Sequence, residues 1–401
     1  MEIRPILSAL LRNRAGATLV ALQIAITLAI VVNAVYLTQQ RVSKISRVSG
    51  LDEQNIFSFS AQGFEKGFDF QAMVRDDMAL LRQMPGIVDA TPVNNIPLSG
   101  GGSSTGYYSL PDKKGENSPA NYFRVDDHGV NTLGVKLSAG KTFDATMVDL
   151  QDNEVQGQPP FAIVSRAFGE AMFPGEKILV GKDIYDDQGK PLRIIGVIEH
   201  MHGSWVGWDK LDRIVLIPRI TGPNTRYLVR TEPGLIDRMM TEVDSALRKR
   251  DPNRVIGKMR KLSNHKRRSY SGDMLMAITL TTVTGLVLVF SALGIFGLAT
   301  FNVNNRTRQI GTRRAVGARR IDIVRYFMTE NWLVTTLGVV VGCILALAAG
   351  YWLSTQYQMP RLDLYYLVGG VLGLWAVGQL AAWQPSLRAA KVSPAMATRN
   401  I

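Results

Sequence analysis

Uncharged apolar runs alternate with polar segments along this chain, and their order carries the main prediction. The runs cover 15–40, 274–305, 331–360 and 364–387. A helix needs about 20 apolar residues to cross the hydrocarbon core of a bilayer, so each run is long enough to do so. The pattern therefore predicts four transmembrane helices, with a large polar segment between the first and the second.

The first apolar run follows Arg4, Arg12 and Arg14, as the hydrophobic region of a signal peptide also would. It is longer than such a region, and no A-x-A cleavage pattern follows it. We therefore expect an uncleaved anchor helix at 15–40. The single cysteine, Cys343, lies in the third apolar run, so no disulfide can form within the chain.

Strand-like and helix-like patterns alternate between the first two apolar runs. Residues 70–84 place apolar side chains at helical spacing before a Pro-Gly pair, whereas Ile87–Val93 is typical of a strand. The fold class that we predict is membrane α-helical, with a large extracytoplasmic α/β domain at 41–273 inserted between helices 1 and 2. We divide this domain into an outer part, a part inserted into it, and a stalk; these cover 41–127 with 221–260, 128–220, and 261–273.

The net charge of +13 lies largely beside the apolar runs, and its placement predicts the orientation. Basic side chains are retained on the cytoplasmic side, and short loops report this most reliably. They fill the segments before the first run, between the second and third, and after the fourth, whereas loop 354–363 contains only Arg361. We therefore expect both termini on the cytoplasmic side and the large domain on the outer side. The predicted transmembrane helices are 15–40, 274–305, 329–354 and 364–385. The predicted cytoplasmic segments are 306–328, between the second and third helices, and the tail 386–401.

Another basic cluster lies on the outer side, just before the second apolar run. Its members are Arg254, Lys258, Arg260, Lys261, Lys266, Arg267 and Arg268. Long domains translocate largely regardless of charge, so the cluster does not overturn the orientation. It predicts either a contact with anionic headgroups or a solvated stalk, or else a docking surface for an extracytoplasmic partner.

The chain offers no convincing catalytic or cofactor motif. The segment GEKILVGK at 175–182 has five residues between its glycines and continues with Asp183, so it is not a P-loop. His200 and His202 lie close together but do not form H-E-x-x-H. We expect no catalytic, metal-binding or cofactor-binding residues and no enzymatic activity in this chain. The apolar runs contain no acidic or basic side chain, which argues against proton-coupled or ion-coupled transport.

Two G-x-x-x-G patterns lie within the apolar runs. Gly338 with Gly342, and Gly369 with Gly373, would each let another helix approach closely. The sequence leaves open whether that helix belongs to the same chain or to a second copy.

The strongest local signal is the segment NRTRQIGTRRAVGARRIDIVR at 305–325, with seven arginines and one acidic residue, Asp322. Ile310 and Val316 lie among these arginines, and Gly317 is expected to break a short helix. The segment could anchor on anionic lipid. It could also dock, as a short cytoplasmic helix, into a groove with an acidic rim on a partner protein.

These residues resemble the FtsX/MacB family of ABC transporter permeases. Family members carry E/R-R-T-x-E-I-G-x-R-R-A-L/V-G-A after the second span, which reads RTRQIGTRRAVGA at 306–318, with Gln309 in place of the usual acid. The C-terminal family pattern P-A-x-A-L-R reads PAMATR at 394–399, with Thr398 in place of Leu.

The resemblance extends over nearly the whole chain. LLRNR at 10–14 is similar to the family's amphipathic helix before the first span, which implies such a cytoplasmic helix at 1–14. NIPLSG at 95–100 and the Phe-Pro-Gly and Val-Gly-Lys pieces of 173–182 are similar to the MacB-type periplasmic domain. The outer and inserted parts of the domain would then be the porter-like and sabre-like subdomains.

The resemblance implies a type VII permease of the bacterial inner membrane with its large domain in the periplasm. A separate ABC ATPase dimer would bind ATP and magnesium, and the permease would pair with a second copy or a sister permease. ATP hydrolysis would move the periplasmic domain without substrate crossing the bilayer, which is called mechanotransmission. The ATPase would seat on a coupling segment made of Arg306, Thr307, Arg308, Ile310, Gly311, Arg313, Arg314, Ala315, Val316, Gly317 and Ala318.

The same resemblance implies efflux or export through a periplasmic adaptor and an outer-membrane channel, in contact with membrane lipids and without nucleic acid. Two alternatives stay open. One is extraction of lipoproteins from the membrane, and the other is FtsX-like signalling to a periplasmic partner.

Overall fold

The computed structural model describes residues 14–63, 68–151, 159–221, 226–357 and 361–393. The chain divides into two compact units. One contains the N-terminal part up to Ser46 together with the chain from Asp273 onward, and the other is Arg47–Gly272. The predicted helix at 1–14 lies outside the described residues except for Arg14, and so does the C-terminal pattern at 394–399.

Long helices occupy the two ends of the chain, and short helices and strands alternate between them. In chain order the helices are α1 (Arg14–Ile45), α2 (Phe70–Gln83), α3 (Gly129–Leu133), α4 (Arg166–Met172), α5 (Ile236–Arg250), α6 (Leu262–Ser269), α7 (Ser271–Asn305), α8 (Thr307–Ala315), α9 (Arg320–Tyr357) and α10 (Leu364–Ala390). The strands are β1 (Ile56–Gly63), β2 (Ile87–Val93), β3 (Ser104–Leu110), β4 (Lys114–Val125), β5 (Leu137–Gly140), β6 (Asp149–Gln151), β7 (Phe161–Ser165), β8 (Asp183–Tyr185), β9 (Pro191–Ile198), β10 (Ile214–Thr221), β11 (Arg226–Thr231), β12 (Arg254–Ile256) and β13 (Arg260–Lys261).

The first sheet of the Arg47–Gly272 unit is antiparallel, in the order β12-β1-β11-β2, with β13 also on β1. Its core is built by apolar side chains that alternate along β1, such as Phe57 and Phe59, and by the apolar faces of α2 and α5. Asp69 caps α2 because its carboxylate accepts the backbone N–H of Ala72 at 2.9 Å. Helices and strands at 56–93 and 226–261 therefore share one core.

The second sheet has eight strands in the order β4-β3-β8-β9-β7-β10-β6, with β5 on β9. It is mixed, because β10 is parallel to β4 and β7 is parallel to β9. Strands β3 and β4 belong here, whereas the division made from the sequence places them within the outer part, 41–127. The difference arises because Tyr122 of β4 pairs with Val215 of β10, a long-range pairing that no local pattern reveals.

Helices α1, α7, α9 and α10 are long and apolar enough to cross a membrane, as the four predicted spans require. α9 begins before the predicted start of the third span at 329, so the end of the predicted cytoplasmic segment is helical and continuous with that span. Asp322 supports this early start, because its carboxylate accepts the backbone N–H of Arg319 at 3.0 Å. The helix therefore includes Glu330, which lies outside the uncharged run.

The four long helices pack unequally. α9 packs along both α1 and α10. α7 buries a stripe that includes Ala277, Thr284 and Ser291, at a spacing of seven residues, and exposes most of its remaining side chains. Near the start of α7, Asp273 forms an ion pair with Arg41 of α1 at 2.7 Å.

Candidate coupling site

The arginine-rich segment folds as a nine-residue helix, α8, between α7 and α9. Its C-terminal end is closed by Gly317, whose φ of +100° lies in the left-handed region that favours glycine. The N–H of Gly317 donates to the carbonyl of Arg314, and the N–H of Ala318 donates to that of Arg313. These two bonds form a Schellman motif, which stops the helix where the sequence predicts a break.

One face of α8 is buried against the neighbouring helices. Ile310 is 3% exposed and packs with Val303 of α7, Phe327 of α9 and Ala389 of α10. Gly311 is buried beside it. The two buried residues show which face of α8 points inward.

An ion pair ties the start of α8 to α9. Arg306 Nη1 donates to both carboxylate oxygens of Glu330, at 3.1 Å to Oε1 and 2.9 Å to Oε2. The Arg306 side chain is 16% exposed and that of Glu330 is 6% exposed. Such a shielded pair is screened less by salt than a surface pair, so it can hold α8 at a defined position on α9.

Two further arginines of the segment also make contacts within the helical unit. Arg314 Nη1 donates to the carbonyl of Ala390, at the end of α10, at 2.5 Å. The guanidinium carbon of Arg313 lies 4.6 Å from the centre of the Tyr326 ring, which is a cation–π distance. Residues 306, 310 and 314 recur at helical spacing, so they form one inward line along α8.

The opposite face of α8 is exposed. Arg308, Thr312 and Ala315 lie on it at i, i+4 and i+7, and the exposed Val316 follows directly after the helix. Val316 is 84% exposed. We call these four residues the outward stripe. It offers a cationic and apolar surface on a helix that is fixed from behind.

Two family models match the chain. The model described as a MacB-like periplasmic core domain matches residues 16–250, and the model described as an FtsX-like permease C-terminal domain matches residues 281–394. The first match alone covers more than half of the chain. This chain belongs to the MacB-like family of FtsX-type ABC transporter permeases. The α/β unit is accordingly the MacB-like periplasmic domain of this permease, and α7 to α10 form its FtsX-like part.

Relatives of the permease include the macrolide export ATP-binding/permease protein MacB of Escherichia coli O6:K15:H31, 25% identical over 96% of this chain and 58% of that protein. The MacB of Shigella boydii serotype 4 is 25% identical over 81% of this chain and 48% of that protein. The chain thus spans about half the length of the curated relatives it matches. The periplasmic region of MacB from Actinobacillus actinomycetemcomitans is similar in structure, with a TM-score of 0.34, 15% identity, and coverage of 56% of this chain and 97% of that one.

The two glycine pairs of the permease have different surroundings. A Cβ on Gly338 would lie 2.6 Å from the carbonyl oxygen of Ala21, and one on Gly342 would lie 2.9 Å from the Cβ of Leu28. This pair therefore packs α9 against α1 of the same chain. On α10, a Cβ added to Gly369 or Gly373 would meet no atom of the described residues within 4 Å, so this pair faces away from the neighbouring helices.

Three members of the outer basic cluster form ion pairs within the periplasmic domain. Arg254 is buried with Asp77 at 2.8 Å, Lys261 pairs with Asp237, and Lys266 pairs with Glu53. The cluster members that stay exposed are Lys258, Arg260, Arg267 and Arg268.

The sequence singles out α8 but misses Glu330, the residue that anchors it. The sequence does contain a signal for Glu330. It is the only acid between Asp322 and the uncharged run that begins at residue 331, and it follows the arginine-rich segment. An acid at the end of an apolar helix usually has a partner.

Proposed function

We propose that this permease is the membrane subunit of a transporter whose ABC ATPase docks on the outward stripe of α8. Both termini and α8 would lie in the cytoplasm of a bacterial inner membrane, as the distribution of basic residues favours. The ATPase and its ATP and magnesium would come from outside these 401 residues. The observation that carries the proposal is the division of α8 into an anchored inner face and a free cationic, apolar outer face.

The anchors of α8 support transmission of force. A displacement of α8 would reach α9 through Arg306 and Glu330, and α10 through Arg314. α7 would move with them, because Val303 near its end shares the core of Ile310. Since α7 begins two residues after α6 ends, this displacement would pass by the chain itself toward the periplasmic domain.

The family of the chain supports a proposal for what this motion transports. The MacB relatives are named macrolide export proteins, which favours efflux through mechanotransmission, with two permease copies, a periplasmic adaptor and an outer-membrane channel. Co-purification of the permease with an ABC ATPase and a periplasmic adaptor tests this assembly. A complex with acylated lipoproteins instead would favour lipoprotein extraction, and a complex with a cell-wall hydrolase or its activator would favour signalling.

Charge reversal on the outward stripe tests the docking surface. Arg308→Glu should reduce permease-stimulated ATP hydrolysis in nanodiscs about tenfold or more, because like charges placed against one another across an interface cost several kcal/mol. The matched control is Arg388→Glu, which makes the same charge change at an exposed position on α10. Equal losses in both variants would show that the bulk positive charge matters, and unchanged stimulation in Arg308→Glu would remove the stripe from the ATPase interface.

A further inference from the structure

A loop of the periplasmic domain contacts the segment by which the chain arrives from the first span. The loop is 199–208, between β9 and β10, and we call it the tryptophan loop. His200 Nε2 lies 2.8 Å from the carbonyl oxygen of Val48, and the N–H of His202 donates to that of Ser49 at 2.8 Å. α1 ends at Ile45, so these contacts are within a few residues of a membrane helix.

The same loop contacts the segment by which the chain leaves for the second span. Trp205 and Trp208 line a groove of about 640 Å³ together with Val206, Gly207, Gly100, Ser104 and Ser269. Ser269 is the last residue of α6, and α7 begins at Ser271. Two residues reach at most about 7 Å, so only a short stretch of chain separates Ser269 from the start of the second apolar helix.

The groove is aromatic, and two arginines directly precede its lining residue Ser269 on α6. The two tryptophan rings are 5.8 Å apart in an edge-to-face arrangement. Arg267 and Arg268, next to Ser269 on α6, are exposed and have no acidic partner within 4 Å among the described residues. Lys266 is neutralised by Glu53, and the charges of Asp209 and Lys210 after the loop offset each other.

We infer that this groove holds the headgroup region of an anionic phospholipid from the outer leaflet. Tryptophan is enriched where membrane meets water, because its ring is apolar and its N–H is polar. Basic residues close to an anionic surface each contribute a factor of about five in affinity. The coincidence of paired tryptophans, free arginines and both chain connections to the membrane helices favours a lipid over a soluble ligand.

A photoreactive residue in the groove tests the inference directly. Gly207 is exposed, and a Cβ added there would meet no atom of the described residues within 4 Å, so it is a suitable position for benzoylphenylalanine. The full chain carrying this residue is placed in nanodiscs of phosphatidylglycerol and phosphatidylcholine at one to three, irradiated, and analysed by mass spectrometry. We expect phosphatidylglycerol adducts well above the mole fraction of that lipid.

Charge variants then separate the causes. Arg267→Gln combined with Arg268→Gln should lower the phosphatidylglycerol preference by up to about 25-fold, at about fivefold per residue. The matched control combines Lys177→Gln with Lys190→Gln, at positions that are exposed on the second-sheet side of the domain. It should keep the preference.

Three results would overturn the inference. They are adducts in proportion to the lipid mixture, adducts with a protein rather than a lipid, and an equal loss of preference in the control variant. The readout contains no ATPase, so its failure would leave the proposed docking on α8 unaffected, and a failure of that docking would leave this result standing.

Discussion

Removal of the Glu330 carboxylate tests whether an ion pair holds α8 in place. One nitrogen of Arg306 lies within 3.1 Å of both carboxylate oxygens, and the two side chains are only 16% and 6% exposed. Breaking a buried pair by removing one partner costs about 3–5 kcal/mol, because the other charge is left uncompensated. Arg306 retains some exposure and a long stem that can reach water, so we expect Glu330→Met to cost about 3 kcal/mol, the lower end of that range.

A double variant separates the pair from its surroundings. Arg306→Met combined with Glu330→Met removes both charges and fills a similar volume. Such replacements of a buried pair are often neutral or stabilising. We therefore expect the free energy of unfolding of the double variant to lie within about 1 kcal/mol of that of the parent chain. The single variant Arg306→Met should be clearly less stable than the double one, since it leaves Glu330 buried without its partner.

The assay is reversible unfolding of the full chain in mixed micelles, followed by tryptophan fluorescence, with a double-mutant cycle over the four proteins. Arg325→Met is the matched control, because Arg325 is exposed on the same helix. It should change the free energy of unfolding by no more than about 0.5 kcal/mol. If the singles also stay within that limit and the double equals their sum, the pair does not hold α8 and the reasoning fails.

Three further outcomes follow from the structure. Burial lowers the pKa of His202 to about 4, so between about pH 6.5 and pH 4 the unfolded chain binds a proton that the folded chain excludes. The free energy of unfolding should therefore fall by about 2 kcal/mol as the pH drops through this window. Thermal unfolding measured across the window should show this loss, and His202→Phe should make the profile flatter. Gly338→Ala should lower the free energy of unfolding in micelles by about 1–3 kcal/mol, because the new methyl group meets a backbone oxygen of α1. In the control Gly373→Ala the methyl group meets no atom of the described residues, so the chain should not be destabilised. Equal effects of the two variants would contradict the packing of α9 against α1. Arg254→Ala should lower the free energy of unfolding by about 3–5 kcal/mol, because it leaves the buried carboxylate of Asp77 without a partner. Arg248→Ala breaks an exposed ion pair and should cost less than about 1 kcal/mol. Similar denaturant midpoints for the two variants would contradict this expectation.

The four long apolar helices and the short helix α8 could be predicted from the sequence because their signals are local. Apolar length decides a span, and the glycine at 317 decides where α8 stops. The inward or outward direction of each α8 residue follows from helical spacing only after one inward residue is known. The exposed Val316 and the buried Ile310 look alike in sequence, and tertiary packing alone separates them.

The subdomain boundary and the anchoring acid could not be predicted in the same way. β4 joins the second sheet through β10, which lies far along the chain, so no window of sequence contains both partners. Glu330 lies just outside the uncharged run that defines the third span, and a rule that searches for uncharged residues excludes such an acid by construction. Its role becomes visible only where Arg306 approaches it.

The second span has a consequence for the bilayer around it. Exposed apolar side chains run along α7 from Met274 to Phe301, which corresponds to a rise of about 40 Å. The hydrocarbon core is about 30 Å thick, so keeping this whole length in lipid requires a tilt of about 40°, the upper end of the usual range. A hydrophobic stretch of this length is accommodated by such a tilt, by a kink or by local thickening of the bilayer. A thicker membrane would draw more of α7 into lipid, which makes bilayer thickness a variable for any assembly built on this helix.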